Sequence, residues 1–440
     1  MPSHPSFPDV RLPLLRDVTL PPVLPVRLSH PHAEPLTDRP TAVRAALARS
    51  ARLGALPRGA SVAVAVGSRG IAHLPEVVAA AVAWLKEQGL APFVVPAMGS
   101  HGGATAEGQT QVLARLGVTE ETVGAPLRAT MEVVELGRTP TDALPCYFDA
   151  HAARADAVLA IARVKSHTTF DRPVESGLCK MLAVGLGKDR GARTIHSVGP
   201  RGMSEVIPQM AAMAIERAPV AFGLALVENA GKELVTVEGV EPRDFAAADE
   251  RLLTQAKSLL ARLPFERLDA LIVEWIGKQI SGGGMDFAVT GRADIRGVPN
   301  PEKPFVTKLG LLGVTPESGG NAIGIGFADF ATRAAAEACD LQQTYTNALV
   351  AAFAEPARIP MVLPDDRDVV RATVATCWRA DPENARLCLI RSTLHLDTVL
   401  LSPALYAEIE GRDGVQALAE PAPLEFGDDG TLLTRCADFH

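Results

Sequence analysis

One stretch of the sequence decides the fold class: SVAVAVGSRGIAHLPEVVAAAVAWLKEQGLAPFVVPAMGSHGGAT, residues 61–105. It begins with an apolar run over 61–66 that is typical of a buried strand, and LPEVVAAAVAWLKEQG (74–89) is typical of a helix that ends at a glycine. A second apolar run over 91–98 is followed by the loop GSHGG and by a helix for which Thr105 is the predicted N-cap. Strand, loop and helix alternate, so we expect a parallel sheet with right-handed crossovers.

The pattern continues toward the C-terminus. AVLAIA (157–162) is a third apolar run, and it leads into RVKSHTTFDRPVESGLCKMLAVGLGKDRGARTIHSVG (163–199). Further along, the sequence predicts a helix over 202–217 with Pro208 near its first turn or at a kink, a strand and hairpin over 220–242, and an amphipathic helix over 244–264 capped by Asp244.

A chain of 440 residues is too long for a single hydrophobic core, so we expect two domains. We place an N-terminal domain over 1–264 and a C-terminal domain over 265–440, with the proline-rich first 45 residues as an edge strand and extended arm. The second half contains apolar runs that predict strands over 268–276, 321–327 and 385–393. The predicted fold class is α/β: two α/β domains with mostly parallel sheets, joined by a helical hinge, with the active site in the interdomain cleft.

Composition excludes several classes of protein. The formal net charge is −8, which disfavours a nucleic-acid or anionic-membrane surface. No run of about 18 apolar residues suggests a membrane span, and the N-terminus lacks the basic and apolar regions of a signal peptide. The six cysteines have no CxxC spacing and fit neither a disulfide scaffold nor a thiolate zinc site. We therefore expect a cytoplasmic globular protein.

Polar side chains follow each of the first three predicted strands. These are Ser68 and Arg69, then Ser100 and His101, then Lys165, Ser166 and His167. Ligands of parallel α/β sheets bind beyond the carboxyl ends of the strands, so these residues are expected at one edge of the sheet. Arginine offers a fork of donors for a carboxylate or phosphate.

The histidines suggest proton transfer or metal binding. His101 and His167 are candidate general acids or bases, because imidazole titrates near neutral pH. Gly102 and Gly103 permit close backbone approach, and the helix that follows favours an anion such as a phosphate at its N-terminus. His196 is a candidate metal ligand, and a zinc site formed by His101, His167 and His196 is an alternative.

Lys180 lies in the apolar segment SGLCKMLAVGLG. An amine in apolar surroundings can become a nucleophile or a point of covalent attachment. The alternative is a lysine whose stem is buried and whose ammonium reaches solvent.

Five motifs together resemble the nickel-dependent lactate racemase family over roughly residues 60–200. They are VGSRG with Arg69, GSHGGAT with His101, KSHTTF with His167, SGLCK with Lys180 and RTIHS with His196. The resemblance implies a nickel-pincer nucleotide joined covalently to Lys180, with His196 as a nickel ligand and Ser100, Gly102 and Gly103 around the nucleotide phosphate. It also implies that His101 and His167 are the two acid/base residues and that Arg69 contacts substrate. The second domain has no clear Tyr–Gln-x-x-Lys set, and we take Lys278 in GKQISGGGMD as the candidate for the substrate-binding lysine.

The motifs also depart from the family pattern. Where the family often has an Asp and a Thr–Arg–Pro sequence, this chain has VGSRGI, with no acidic residue and no proline. Around the lysine, the chain has ESGLCKMLAVGLG in place of Gly–Gly–Lys followed by Pro–Gly. We therefore expect a 2-hydroxy acid other than lactate, or larger than it, as substrate, and enzymes of cofactor biosynthesis as partners. The leading hypothesis is a 2-hydroxy acid racemase or epimerase. The alternatives are a zinc metallohydrolase or lyase and a non-enzymatic anion- or nucleotide-binding protein.

Overall fold

The computed structural model describes residues 3–31, 33–68, 71–167 and 175–439. Its strands are β1 (Leu24–Leu28), β2 (Ser61–Val66), β3 (Ala91–Pro96), β4 (Val133–Arg138), β5 (Pro145–Asp149), β6 (Ala157–Arg163), β7 (Val220–Glu228), β8 (Leu234–Val240), β9 (Arg267–Ile276), β10 (Phe305–Val314), β11 (Phe330–Thr332), β12 (Met361–Leu363), β13 (Leu387–Ser392), β14 (His395–Leu401) and β15 (Val415–Ala417). Its α-helices are α1 (Arg39–Leu47), α2 (Ala51–Gly54), α3 (Leu74–Glu87), α4 (Ala106–Arg115), α5 (Glu120–Val123), α6 (Ala150–Ala153), α7 (Leu178–Lys180), α8 (Lys188–His196), α9 (Ile207–Arg217), α10 (Phe245–Ser258), α11 (Phe287–Thr290), α12 (Arg333–Glu337), α13 (Leu341–Ala351), α14 (Asp366–Ala375) and α15 (Pro403–Tyr406). π-Helical turns at Met181–Gly185 and Gly202–Val206 follow α7 and precede α9, respectively.

Two large sheets carry the fold. The first has the order β3-β2-β6-β7-β8 and is parallel except for β8, which forms an antiparallel hairpin with β7. The second has the order β12-β11-β10-β9-β13-β14-β1-β15, in which the five strands from β12 to β13 are parallel and the last three pairings are antiparallel. The chain is therefore a mixed α/β protein with mostly parallel sheets, as predicted.

The chain divides into two compact units near residue 260. One contains the described residues from Pro31 to Leu260, and the other contains those up to His30 and those from Ala261 onward. The described residues up to His30 thus group with the second unit, whereas the sequence suggested an N-terminal domain of 1–264. The reason is strand β1, which pairs on both sides, with β14 and β15, and so is not an edge strand.

The four parallel strands of the first sheet, β3, β2, β6 and β7, are buried because both faces of a parallel sheet are covered. The valines Val62, Val64 and Val66 on one face join an apolar cluster with Val77 and Leu85 of helix α3. On β6 every residue from Ala157 to Ala162 is buried. This continuous burial explains why the sequence reads as uninterrupted apolar runs and not as an alternation of apolar and polar residues.

Most predicted elements are present in the structure, although several of their boundaries differ. Thr105 caps α4 by accepting a hydrogen bond from the amide of Gly108 (3.0 Å), and Pro208 lies in the first turn of α9. Asp244 occupies the N-cap position of α10, but its side chain makes no capping hydrogen bond, and the helix ends at Ser258, before Pro264.

The strand predicted over 321–327 is wrong. These residues form a glycine-rich turn with a short 3₁₀ helix over Ile325–Phe327, and the strand β11 begins after it. Gly324 has a φ of +99°, and a Cβ there would lie 2.2 Å from the carbonyl oxygen of Gly283. A glycine in the left-handed conformation that packs against another backbone segment interrupts an extended strand. The apolar composition of these residues alone does not reveal this interruption.

The six cysteines are all free and buried. Burial raises the pKa of the Cys146 thiol to about 11. Among the described residues, no helix combines the length and the apolar character that crossing a bilayer requires.

Candidate active site

The three polar loops of the first unit follow neighbouring parallel strands. Strands β3, β2 and β6 are adjacent in the sheet, and they end at Pro96, Val66 and Arg163. Parallel strands place their carboxyl ends at the same edge, so the loops with His101, Ser68 and His167 share that edge. This arrangement is the one that the alternation of strands and helices predicts.

His101 is an exposed residue that contacts the loop of the neighbouring strand. Its Nδ1 lies 2.5 Å from Oγ of Ser68, a hydrogen bond that connects the loop after β3 to the loop after β2. The contact leaves Nε2 as the ring nitrogen that does not face the serine. Ser68 belongs to the polar set at the strand end but had not been assigned a role from the sequence.

The two glycines that follow His101 suit the backbone conformation of its loop, and Gly102 is also required by its packing. Gly102 and Gly103 both have a φ of +66°, and a Cβ on Gly102 would lie 2.5 Å from the carbonyl carbon of Gly108 in helix α4. The carbonyl oxygen of Ser100 accepts a hydrogen bond from the amide of Ala104 (3.2 Å). Phosphate binding by Ser100, Gly102 and Gly103 stays a prediction.

The loop of His167 is closed at its base. The amide of Lys165 donates to the carbonyl oxygen of Ser176 (3.2 Å), and the amide of His167 donates to the carboxylate of Glu175. Glu175 has a fully buried side chain and pairs with Lys257 of α10, with 2.6 Å between Oε1 and Nζ. Two hydrogen bonds donated by backbone amides and one ion pair thus hold the residues around His167 against those around Glu175.

The short helix with Lys180 is capped from a distant part of the chain. Asp249, on α10, accepts hydrogen bonds from the amides of Leu178 and Cys179, both at 2.8 Å. Asp249 is 1% exposed, and this burial raises the pKa of its carboxyl to about 6, against the opposing effect of the two amides. The carboxylate satisfies amides at the start of the helix, which have no intrahelical partner.

His196 ends helix α8 and is half-buried. Burial, and secondarily the positive charge of Lys180, lower the pKa of its imidazole to about 4. The ring is therefore neutral at pH 7, the protonation state in which histidine binds a metal. The effect of Lys180 also shows that the predicted tether and the predicted metal ligand lie near each other.

The loop of His101 packs on the turn that follows Lys180. The amide of Gly99 donates to the carbonyl oxygen of Gly185 (3.2 Å). A Cβ on Gly185 would lie 2.8 Å from the carbonyl oxygen of Ala97, so only glycine permits this approach. The loop of His101 and the turn after Lys180 are therefore neighbours within the first unit.

Comparison with known proteins bears on this same region. The chain matches a domain of unknown function (DUF362) over residues 64–249, which is less than half of its length. No curated protein matches it. Among solved structures, it is similar to the lactate racemase apoprotein from Thermoanaerobacterium thermosaccharolyticum, with 13% sequence identity, 89% of this chain and 99% of that chain covered, and a TM-score of 0.49. A structural similarity of this degree is no evidence that the two proteins share an activity.

Two residues are predicted from the sequence to contact substrate. Arg69 lies outside the described residues. Lys278 belongs to the other unit, where it follows β9, and its Nζ donates to the carbonyl oxygen of Gly282 (2.8 Å) and to Oδ1 of Asn347 (2.7 Å).

The zinc alternative is not supported by the geometry. Among the described residues, which include His101, His167 and His196, no group of three or more His, Cys, Asp or Glu is arranged to hold a metal ion. A site that takes one protein ligand, as predicted for His196, does not need such a group.

Sequence reasoning did not find the residues that support the site, such as Asp249 and Glu175. For Asp249 a signal was present. The buried stripe of α10 includes Phe245, Ala248 and Leu252, and Asp249 falls on that stripe. A carboxylate on the apolar face of an amphipathic helix indicates a buried partner.

Proposed function

We propose that the chain is a racemase or epimerase of a 2-hydroxy acid that uses a nickel-pincer nucleotide attached to Lys180. The observation that carries the proposal is the hydrogen bond between Gly99 and Gly185, which joins the loop of the predicted acid/base His101 to the turn after Lys180. The five motifs of the sequence supply the roles, and this contact supports placing them on one surface.

The residues present fit the cofactor in two respects. His196 is neutral at pH 7 and lies near Lys180, as a metal ligand beside a covalent tether should. Gly102 brings backbone close to the N-terminus of α4, where amides favour a phosphate. When bound, the nickel-pincer nucleotide would take up and return the hydride of the substrate C2 carbon.

The protein supplies proton transfer and orientation. His101 would take the hydroxyl proton of one enantiomer at Nε2, because Ser68 engages Nδ1. His167, on the loop of a neighbouring strand, would serve the opposite enantiomer. Loss of the hydroxyl proton and the C2 hydride gives a planar 2-oxo acid, and their return to the other face inverts the centre. Arg69 and Lys278 would bind the substrate carboxylate.

The test is the mass and nickel content of the protein produced together with the enzymes of cofactor biosynthesis. We expect added mass on Lys180 and bound nickel, both lost in Lys180→Ala and both kept in Lys86→Ala, a control on helix α3 of the same unit. Intact protein with neither added mass nor nickel would overturn the proposal.

A second comparison separates catalysis from binding. We expect His101→Ala to retain the added mass and nickel and to lose racemisation, because the histidine transfers protons and does not hold the cofactor. Undiminished racemisation in His101→Ala would reject its role. Ligand binding without turnover in wild type, unchanged by His101→Ala and His167→Ala together, would favour the non-enzymatic alternative.

A further inference from the structure

A fully buried lysine lies behind the candidate site. Lys188 is the first residue of α8, has a φ of +54° and is 0% exposed. Its Nζ lies 2.9 Å from Oδ2 of Asp149 and donates to the carbonyl oxygen of Pro96 (2.5 Å) and to Oε1 of Gln109 (3.1 Å). Burial of a charged amine is costly even when it is paired, so this group calls for an explanation beyond packing.

The ammonium sets the orientation of a buried amide. Gln109, on α4, is 0% exposed. Because an ammonium can only donate, the oxygen of Gln109 must face Lys188 and its NH₂ group must face the other way. There Nε2 donates to the carbonyl oxygens of Gly99 (2.8 Å) and His101 (3.3 Å).

Asp149 holds the other side of the lysine. It ends strand β5, and its Oδ1 accepts a hydrogen bond from the amide of Ala152 in α6 (2.8 Å). The network thus connects β5, helix α4, helix α8 and the loop after β3. Helix α8 begins at Lys188 and ends at His196. The same lysine therefore starts the helix that carries His196 and contacts Gln109, which is hydrogen-bonded to the His101 loop.

We propose that Lys188 and Gln109 are positioning residues that hold the loop of His101 in a fixed place relative to the helix that ends at His196. The roles of the two histidines rest on the proposed function, whereas the hold on the loop does not. Lys188 acts through Gln109, and neither residue contacts the reacting atoms.

The first test is Gln109→Glu. Glutamate keeps the size of the side chain and an acceptor for Lys188, but it places an oxygen against the carbonyls of Gly99 and His101. The control is Gln255→Glu in α10, whose amide donates a hydrogen bond to Oγ1 of Thr236 (3.0 Å).

Two readouts follow the loop itself. One is the ¹⁵N shifts of the His101 ring in histidine-labelled protein, with the His101 signals identified by their loss in His101→Ala. The other is hydrogen exchange of the Ala104 amide, which donates within the loop. In Gln109→Glu we expect changed ring shifts and about tenfold faster exchange, and in Gln255→Glu neither.

The second test is the double variant Asp149→Asn with Lys188→Met. It removes both charges together, which avoids leaving one buried charge unpaired. The Gln109 amide can then turn over, so the His101 signals should change as they do in Gln109→Glu.

Wild-type ring shifts and exchange in both folded variants would overturn the proposal, as would equal changes in Gln255→Glu. If neither variant folds, the two residues are framework residues and the positioning role is rejected. Absence of racemisation in wild type would defeat the proposed function but leave the His101 measurements valid. In active protein we expect kcat of Gln109→Glu to fall about ten- to a hundredfold with KM unchanged.

Discussion

The carboxylate of Asp249 caps the helix of Lys180 by accepting the amide of Cys179 at 2.8 Å. Asp249 is on α10, the last helix of its unit in sequence. Its pKa of about 6 arises because burial disfavours the charged form more than the two amide donors favour it. A residue far from Lys180 in sequence thus determines where its helix begins.

The raised pKa of the Asp249 carboxyl leads us to predict that the stability of the protein depends on pH. The carboxyl has a pKa of about 6 in the folded protein and an ordinary value of 3.8, so between these pH values the folded state binds more protons than the unfolded chain. The free energy of unfolding should therefore fall by about 3 kcal/mol as pH rises from about 4 to about 6, and level off above. In Asp249→Asn this contribution is absent, which urea denaturation of wild type and variant across this range can measure.

The control for this prediction is Glu250→Gln, an exposed neighbour on the same helix. It should follow the wild-type curve at every pH. Parallel curves for wild type and Asp249→Asn would show that Asp249 does not titrate as described.

Gly177 should tolerate no side chain. Its φ of 168° is ordinary extended backbone, but a Cβ would lie 2.2 Å from Oδ1 of Asp249. We expect Gly177→Ala to lower the free energy of unfolding by about 2 kcal/mol and to disturb the helix of Lys180, because the carboxylate must move. Gly54→Ala is the matched control, since no atom lies within 4 Å of a Cβ there, and it should be neutral or slightly stabilising. Equal stability of the two variants would contradict the clash.

The parallel sheet and its functional edge could be predicted from the sequence because local patterns determine them. The apolar runs over 61–66 and 157–162 are strands in the structure, and the described polar residues Ser68, Lys165 and His167 lie within a few residues of their ends. The same local signals found the helix that begins after Thr105.

The supporting contacts could not be predicted, because they join residues far apart in sequence. Asp249 and Leu178 are 71 residues apart, and Gln109 and Lys188 are 79 apart. No local pattern specifies which buried polar groups meet, only that each needs a partner. For the same reason the sequence predicted β1 as a strand but could not predict its pairing with the distant strand β14.

The pair of Glu175 and Lys257 should be energetically coupled. Glu175 is fully buried and Lys257 is a quarter exposed, so solvent screens the attraction only in part. We expect Lys257→Met to be more destabilising than the double variant Glu175→Gln with Lys257→Met, because the single change leaves the buried carboxylate without this ammonium. A double-mutant cycle by urea denaturation should give a coupling of about 2 kcal/mol.

The exposed pair Arg251 and Glu238 provides the comparison. Their side chains are 59% and 26% exposed, so the same cycle should give less than about 1 kcal/mol. A coupling for Glu175 and Lys257 no larger than that of the exposed pair would mean that the ion pair does not hold the base of the His167 loop.

Ser68 should control which ring nitrogen of His101 exchanges protons. Its Oγ lies 2.5 Å from Nδ1, so the ring is held with Nε2 turned away from the serine. In Ser68→Ala the ring can rotate and change tautomer, and we expect kcat for racemisation to fall about tenfold while added mass and nickel stay unchanged. Ser68→Thr keeps the hydroxyl and should restore most of the rate and the wild-type ¹⁵N shifts of His101. If Ser68→Ala turns over as fast as wild type, the hydrogen bond does not orient the ring that we propose as the proton-transferring group.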